Sequence, residues 1–254
     1  MTDLRLRFVT YNIHKGFNFR NRNFVLEQIK TSVQEIGSDF VLLQEVQGDH
    51  KNERLRKLDW VSEAQFEYLA DRMWDHYAYA KNAIYDEGHH GNAILSRYPI
   101  WRWHNINLST ISFCSRSVLH GEILLPDIEK KIHVMCVHLG LRASERRRSL
   151  AIIEDYLETH DLLKERLIVA GDFNDWRGDL SSRMAHRLGL HEATWRTHGV
   201  HLKTFPARFP LLPLDRVYLR NVGLERVELL RGFPWNRLSD HLPIMFEIKI
   251  TDNL

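Results

Sequence analysis

Apolar residues along this chain fall into short β-like runs, the first of them alternating with a period of two, and short polar strings stand at the ends of many of these runs. Runs rich in Val, Ile and Leu and bounded by Gly, Pro, Asn or Asp predict strands at residues 5–12, 40–46, 93–96, 121–125, 132–138, 167–171, 216–219 and 244–250. Between them the period lengthens to that of a helix. Residues 24–36 set Ile29, Val33 and Ile36 on one face and stop at Gly37, and Ser62 with Gln65 reads as a capping box ahead of Phe66, Leu69 and Met73. A third helix begins near Ser144 with Leu150, Ile153 and Leu157 inward, and a short fourth covers residues 181–188 and stops at Gly189. Two runs of strands with helices interspersed fit two sheets packed face to face with helices outside, better than one parallel sheet with regular alternation. The longest irregular stretches, 198–213 and 230–239, lie where long loops in compact domains tend to carry function.

The polar ends of the runs change the picture from fold to chemistry. In order they are TYNIHKG (Asn12), LLQEV (Glu45), GNAILSR (Asn92), CVHLG (His138), AGDFND (Asp172, Asn174), PLDRVYL (Asp215) and SDHLP (Asp240, His241). A carboxylate, amide or imidazole at the end of a buried strand is costly unless it is paired or bound to a metal. A hard divalent cation such as Mg²⁺ or Mn²⁺ takes oxygen ligands, which Asn12, Glu45, Asp172, Asn174 and Asp240 supply, and two histidines are left for proton transfer or anion contact. That inventory suits hydrolysis of a phosphate ester.

Composition narrows the setting. At 254 residues and 44% hydrophobic content the chain holds one large domain or two small ones, and convergence of strings spread from Asn12 to His241 favours one. Thirty-five basic and 33 acidic residues nearly cancel, so any steering of a polyanion must be local. Two cysteines, Cys114 and Cys136, do not make a disulfide scaffold, the first residues alternate like a strand instead of a secretory leader, and no apolar segment is long enough to span a membrane. The expectation is a soluble, monomeric protein in a reducing, cytoplasmic setting.

With GDFN, a C-terminal SDH and a QE after a buried strand in this order, the chain closely resembles the endonuclease/exonuclease/phosphatase superfamily, the deoxyribonuclease-I-like fold, over nearly its whole length. The resemblance implies a four-layer α/β/β/α sandwich of the α+β class, with the site at one end and divalent-metal-dependent cleavage of phosphate esters. It implies metal ligation by Asn12 and Glu45, Glu45 first, with Asp240 an additional acidic position nearby. Asp172 matches the carboxylate that orients or deprotonates the attacking water, Asn174 its partner at the phosphate, His241 the histidine on the scissile phosphate, and Asp215 the carboxylate orienting that histidine. His138 matches a second histidine that assists the leaving oxygen. Deoxyribonuclease I pairs that histidine with an acid near the start of the GNAIL-like strand, where this chain reads His89, His90, Gly91 and Asn92, leaving Asp86 or Glu87 as substitutes.

Substrate contact is assigned to Asn92, Arg208 and Arg216, although Asn92 has the alternative of satisfying backbone groups near the site. The basic stretch 142–148, with Arg208, Arg216, Arg220 and Arg237, forms either a phosphate-contacting rim or an ordinary solvated face. Phe205, Phe209, Phe233 and Trp235 are wedges for a nucleic acid, contacts for a lipid surface together with Leu211 and Leu212, or buried loop anchors. His14, Lys15, His89 and His90 line the rim or are plain surface. The favoured reading is a sequence-nonspecific DNA endonuclease, with nucleic acid as its partner. A phosphodiesterase acting on phospholipid or another small ester, and an inactive binding protein of the same fold, are the competitors.

Overall fold

Period-two alternation sends every second residue of each central strand into one shared interior: Leu6 and Phe8, Phe40 and Leu42, Val134 and Cys136, Ile168 and Ala170, Val217 and Leu219. A computed structural model describes residues 3–50, 63–85, 88–109 and 116–251. Among them the chain runs β1 (Leu4–Asn12), α1 (Leu26–Glu35), β2 (Phe40–His50), α2 (Gln65–Ala70), β3 (His76–Tyr85), β4 (Gly88–Ser96), β5 (Ile100–Asn107), β6 (Ser117–Leu125), β7 (Lys130–His138), α3 (Ala143–Thr159), β8 (Leu167–Asp172), α4 (Ser181–Leu188), β9 (His191–Glu192), α5 (Ala193–His198), β10 (Asp215–Arg220), β11 (Gly223–Leu229), α6 (Trp235–Leu238) and β12 (Ile244–Ile250). The strands form two mixed six-stranded sheets, ordered β11-β12-β1-β2-β4-β3 and β5-β6-β7-β8-β10-β9.

The inter-sheet core is one of three apolar layers. The outer face of the first sheet packs Val9, Val41 and Leu95 against Ile29 and Val33 of α1 and Leu69 of α2, and the outer face of the second packs Met135 and Val169 against Leu150, Ile153 and Leu157 of α3 and Met184 and Leu188 of α4. The result is the expected α/β/β/α sandwich. Eight strands and four helices lie where the sequence pattern predicts them, within a few residues at their ends. α4 stops at Gly189, whose φ of 60° is the left-handed cap that the pattern implied.

The capping box predicted at α2 is corrected. Ser62 lies outside the described residues, and Gln65 bonds elsewhere: its Oε1 accepts from the Gln47 backbone N–H (2.9 Å) and its Nε2 donates to the Lys15 carbonyl (2.9 Å). It ties the segment after β1 to the end of β2. Cys136 is a buried free thiol, while Cys114, Asp86 and Glu87 lie outside the described residues. No described helix is long and apolar enough to cross a membrane.

Topology explains why the polar strings meet. β1 and β2 run parallel, as do β7 and β8, so Asn12, the end of β2, His138 and Asp172 lie at one end of the sandwich. β10 is antiparallel to β8 and β12 to β1, so the starts of β10 and β12, with Asp215 and His241 beside them, return to that end.

Candidate functional site

Register fixes the centre of the site. His138 stands opposite Asp172, and Asp172 opposite Asp215, on the rung that follows Cys136, Ala170 and Val217 of the inter-sheet core. The interior stays apolar along these strands and turns polar on its last rung. Close approach here depends on Gly171, whose φ is 145° and where a Cβ would fall 2.0 Å from the Val137 carbonyl oxygen. Asn12 ends β1 across the gap, and its Nδ2 donates to Asp172 Oδ2 at 3.2 Å. Asn174 turns the chain back with φ 51°: its N–H donates to Asp172 Oδ1 (2.9 Å) and its Nδ2 to the Leu139 carbonyl (2.9 Å).

Asp215 Oδ2 lies 2.8 Å from His241 Nδ1, so the imidazole donates there and turns Nε2 toward Asp172 Oδ2, 3.9 Å away. Burial disfavours the imidazolium, but Asp215, Asp172 and Asp240 outweigh it and raise the His241 pKa to about 10. Burial pushes Asp172 up to about 7, against the opposing pull of His241 and of the hydrogen bonds from Asn174 and Asn12. His138, with Nε2 3.6 Å from Asp172 Oδ2, takes the opposite state: burial, and then nearby Arg116, hold its pKa well below that of a free imidazole. One buried histidine is therefore a cation and the other neutral. Ser239 locks the preceding turn by donating to the Asn12 carbonyl (2.7 Å) and accepting from the His241 N–H (3.3 Å).

Glu45 occupies the most unusual backbone position of the set. The β2–β4 register slips between Leu43 and Val46, so Gln44 and Glu45 together oppose Asn92, and Glu45 has φ 57°. A β-bulge with a non-glycine residue in the left-handed region re-aims a side chain at a cost in strain. Burial opposes ionisation of Glu45, but the positive groups that face it outweigh burial and hold the carboxyl near 2, and of these Lys15 keeps its charge where His138 is neutral. Lys15 Nζ is 3.8 Å from Glu45 Oε2, and His14 Nδ1 is 3.8 Å from Asp240 Oδ1. His14 and Lys15 thus belong to the site and are not plain surface.

Among the described residues no three His, Cys, Asp or Glu side chains converge as a closed metal cage. The donors fit a hard divalent cation, which takes one or two carboxylates and keeps its waters, and not a zinc site. Glu45 is ionised and partly exposed, the Asn12 side-chain oxygen accepts from the His14 N–H and keeps a second lone pair, and Asp240 stands beside His14.

Several sequence assignments are corrected by burial. Arg216 has no exposed surface, and its guanidinium donates to the carbonyls of Pro213, Asp215 and Asp175, so it fastens loops and meets no substrate. Arg220 donates to Leu163 and Leu188 carbonyls. Arg146 is buried between Asp175 (3.6 Å) and Asp179 (3.7 Å), leaving Arg142, Arg147 and Arg148 as the exposed basic residues of that stretch. Asn92 is fully buried, with Nδ2 donating to the Ser117 and Cys136 carbonyls, so its backbone-satisfying alternative describes it better than substrate contact. Trp235 is a core anchor, edge-on to Tyr11, and not a wedge. Arg208 is exposed, its guanidinium over the Phe19 ring. Sequence reasoning missed Arg116 and Ser239; neither stands at the end of an apolar run.

Comparison with known proteins agrees with this fold. A family model described as the Endonuclease/Exonuclease/phosphatase family matches residues 9–241. The uncharacterized protein YbhP of Escherichia coli strain K12 is 44% identical over 245 residues, 96% of each chain. An endonuclease/exonuclease/phosphatase from Bacteroides vulgatus superposes with a TM-score of 0.75 at 18% identity, covering 98% of this chain and all of that one. D. rerio TDP2 complexed with a single-strand DNA product superposes with a TM-score of 0.71 at 16% identity, covering 96% of this chain and 98% of its own. A match that runs from β1 to His241 takes in every strand end that builds the site, and the chain belongs to the endonuclease/exonuclease/phosphatase family, whose members are hydrolases of phosphoester bonds.

Proposed function

We propose that this protein is a divalent-metal-dependent phosphodiester hydrolase acting on nucleic acid without base specificity. The observation that carries the reading is the buried relay Asp215–His241 facing Asp172 at the mouth of the inter-sheet core. A phosphodiester is protected by its own charge, so a catalyst must neutralise its oxygens, aim a water in line and stabilise the leaving alkoxide. Protonated His241, held by Asp215, supplies a charge-assisted donor to a non-bridging oxygen. Asp172, raised by burial to about 7 and held in place by Asn174 and Asn12, accepts the proton of the attacking water as the water oxygen bonds to phosphorus. The bond to the leaving oxygen then breaks, and that oxygen takes a proton from His241 or solvent. His138 is held neutral by burial, so the assistance to the leaving oxygen that the resemblance implies is that of a hydrogen-bonding partner. Mg²⁺ or Mn²⁺ held by Glu45 and Asn12, with Asp240 nearby, would add Lewis-acid neutralisation of the phosphate.

Local cations support a nucleic acid. Arg208, Arg237, Arg20 and Arg22 surround Phe19 in a cavity of about 400 Å³. It borders the site, because the N–H of Ala207, next to Arg208, donates to the Asp240 carbonyl at 2.7 Å. The similar fold of a protein solved with a DNA product points the same way. Exposed Phe209, Leu211, Leu212 and Phe233 support phospholipid as the second reading. Purified protein with Mg²⁺ or Mn²⁺ should be tested side by side on supercoiled DNA, single-stranded DNA, RNA, phospholipid vesicles and bis-p-nitrophenyl phosphate. Cleavage of DNA, with binding that weakens steeply with salt, is the expected result. Turnover of lipid alone would transfer the reading to the second substrate, and no metal-dependent turnover of any phosphodiester would overturn it.

A further inference from the structure

A second cavity, of about 760 Å³, lies beside the edge strand β9 and the two short helices α4 and α5; its wall includes Ser181, Glu192, Trp195, His201, Arg177 and Arg196. The phosphodiester site uses none of these residues. Three of them form a chain of contacts: Glu192 Oε2 is 3.1 Å from His201 Nδ1, and His201 Nε2 is 3.5 Å from Ser181 Oγ. Glu192 is a buried carboxylate whose tendency to stay neutral on burial is outweighed by His201, the Trp195 N–H and Thr194. An ionised carboxylate only accepts, so Nδ1 is the nitrogen that donates to Glu192, which leaves Nε2 facing the Ser181 hydroxyl as the nitrogen whose lone pair can take the serine proton.

The order hydroxyl, imidazole, carboxylate, joined through these particular nitrogens, is that of an activated serine nucleophile. We propose that Ser181, His201 and Glu192 form a second reactive centre, able to take an acyl group from a carboxylic ester with an aromatic or apolar portion.

Each neighbour has a part in that chemistry. Glu192 also accepts from the Trp195 N–H (2.6 Å) and Thr194 Oγ1 (2.9 Å), which fix its carboxylate as the N-cap of α5. The Trp195 indole lies 5.2 Å from the His201 ring, centre to centre, and is otherwise exposed, a flat wall for an apolar group. Tyr218 OH is 3.1 Å from Ser181 Oγ. Burial raises the Tyr218 pKa to about 12, so it remains a neutral hydroxyl that can donate to Ser181 Oγ when the serine proton points to His201. Gly178 (φ 74°) leaves the approach open, since a Cβ there would stand 3.7 Å from His201 Nε2 and 3.9 Å from Ser181 Oγ. The 3.5 Å gap between nucleophile and base is long for a closed hydrogen bond, as such pairs often are before a ligand binds. Ser181 opens α4, whose first-turn N–H groups lack intrahelical carbonyls, so the N–H after the nucleophile is available to a developing oxyanion.

The step balances as ordinary acyl transfer. Ser181 Oγ bonds to the acyl carbon as its proton passes to His201 Nε2; the ester C–O bond breaks and the departing alcohol takes that proton. Water then attacks the acyl-serine, gives a proton to the same nitrogen, and releases the acid as Ser181 regains its hydrogen.

The test uses the full chain and a fluorophosphonate probe, with peptide mass spectrometry to locate the adduct and p-nitrophenyl butyrate to measure turnover. The expected adduct is on Ser181 of the unmodified protein, which needs no variant to fold. In Ser181→Ala labelling should vanish, and in His201→Gln it should slow at least tenfold, with metal-dependent turnover of bis-p-nitrophenyl phosphate retained in both. Asp172→Asn should do the reverse. No adduct on Ser181, or labelling at an equal rate in a folded His201→Gln protein, would overturn the proposal without touching the phosphodiesterase reading.

Discussion

Two histidines whose Nε2 atoms lie 3.6 and 3.9 Å from one oxygen of Asp172 hold opposite charge states, and the cause is local. His241 has Asp215 at 2.8 Å, whereas His138 has burial and Arg116 against it. The Asp215–His241 pair should therefore act as a unit. His241→Ala is expected to lower turnover on the order of 10³-fold, and adding Asp215→Asn to it should cost little more, whereas independent residues would show costs that add. Kinetics of the two single variants and the double variant on bis-p-nitrophenyl phosphate decide between these outcomes. Glu45 answers to a different measurement. Its left-handed backbone belongs to the bulge and remains in Glu45→Gln, so the melting temperature should change little while the Mg²⁺ concentration for half-maximal activity rises by about tenfold or more. An unchanged metal titration would remove Glu45 as a ligand.

At the scale of elements, the strands that the sequence hid are the four edges of the two sheets, β3, β5, β9 and β11. An edge strand is solvated along one side and lacks the dense Val/Ile/Leu signature of a central one: β5 reads IWRWHNIN and β11 GLERVEL, both largely exposed or half-buried. The central strands and their terminal polar residues were legible because burial demands an apolar interior and makes a polar exception conspicuous. The buried arginines were not, since a one-letter charge does not show that Arg216 spends its donors on three carbonyls. A histidine row on the outer face of the second sheet was equally hidden. His120 Nε2 meets His133 Nδ1 at 3.0 Å and its Nδ1 meets Tyr156 OH at 2.9 Å, with His104 and His160 also near. Burial, then His133, His104 and His160, lower the His120 pKa to about 3. Between its ordinary value of 6.5 and about 3 the unfolded chain binds a proton that the folded protein refuses. Stability from this residue is thus intact above 6.5 and declines as pH falls through that window, by up to a few kcal/mol. His120→Gln should lose less melting temperature between pH 7 and pH 4 than the unmodified protein; an identical acid limb would show that other groups set it.

On the scale of the whole molecule, the two irregular stretches flagged by length divide by burial into anchors and exposed tips. Trp235 is 9% exposed and packs with Tyr11 in the layer outside the first sheet, while Phe209 and Phe233 are 76% and 80% exposed. Both tips belong to segments tied to the site: the hydrogen bond from Ala207 to Asp240 anchors one, and α6, which follows Phe233, leads directly into Ser239, Asp240 and His241. If the proposed site is catalytic, large apolar side chains held out in water beside Arg208 and Arg237 at that end of the sandwich would meet a substrate larger than the site itself. Trp235→Ala should therefore destabilise the fold by about 3–5 kcal/mol through the cavity it leaves. Replacing Phe209 and Phe233 together by Ala should leave the melting temperature within about 2 °C, because exposed side chains contribute little to folding. The same double variant should keep its turnover of bis-p-nitrophenyl phosphate, which is too small to reach the tips, and lose at least about fivefold in apparent affinity for the macromolecular substrate. A raised KM for both substrates, or a fall in melting temperature like that of Trp235→Ala, would show that the tips support the fold and not the encounter.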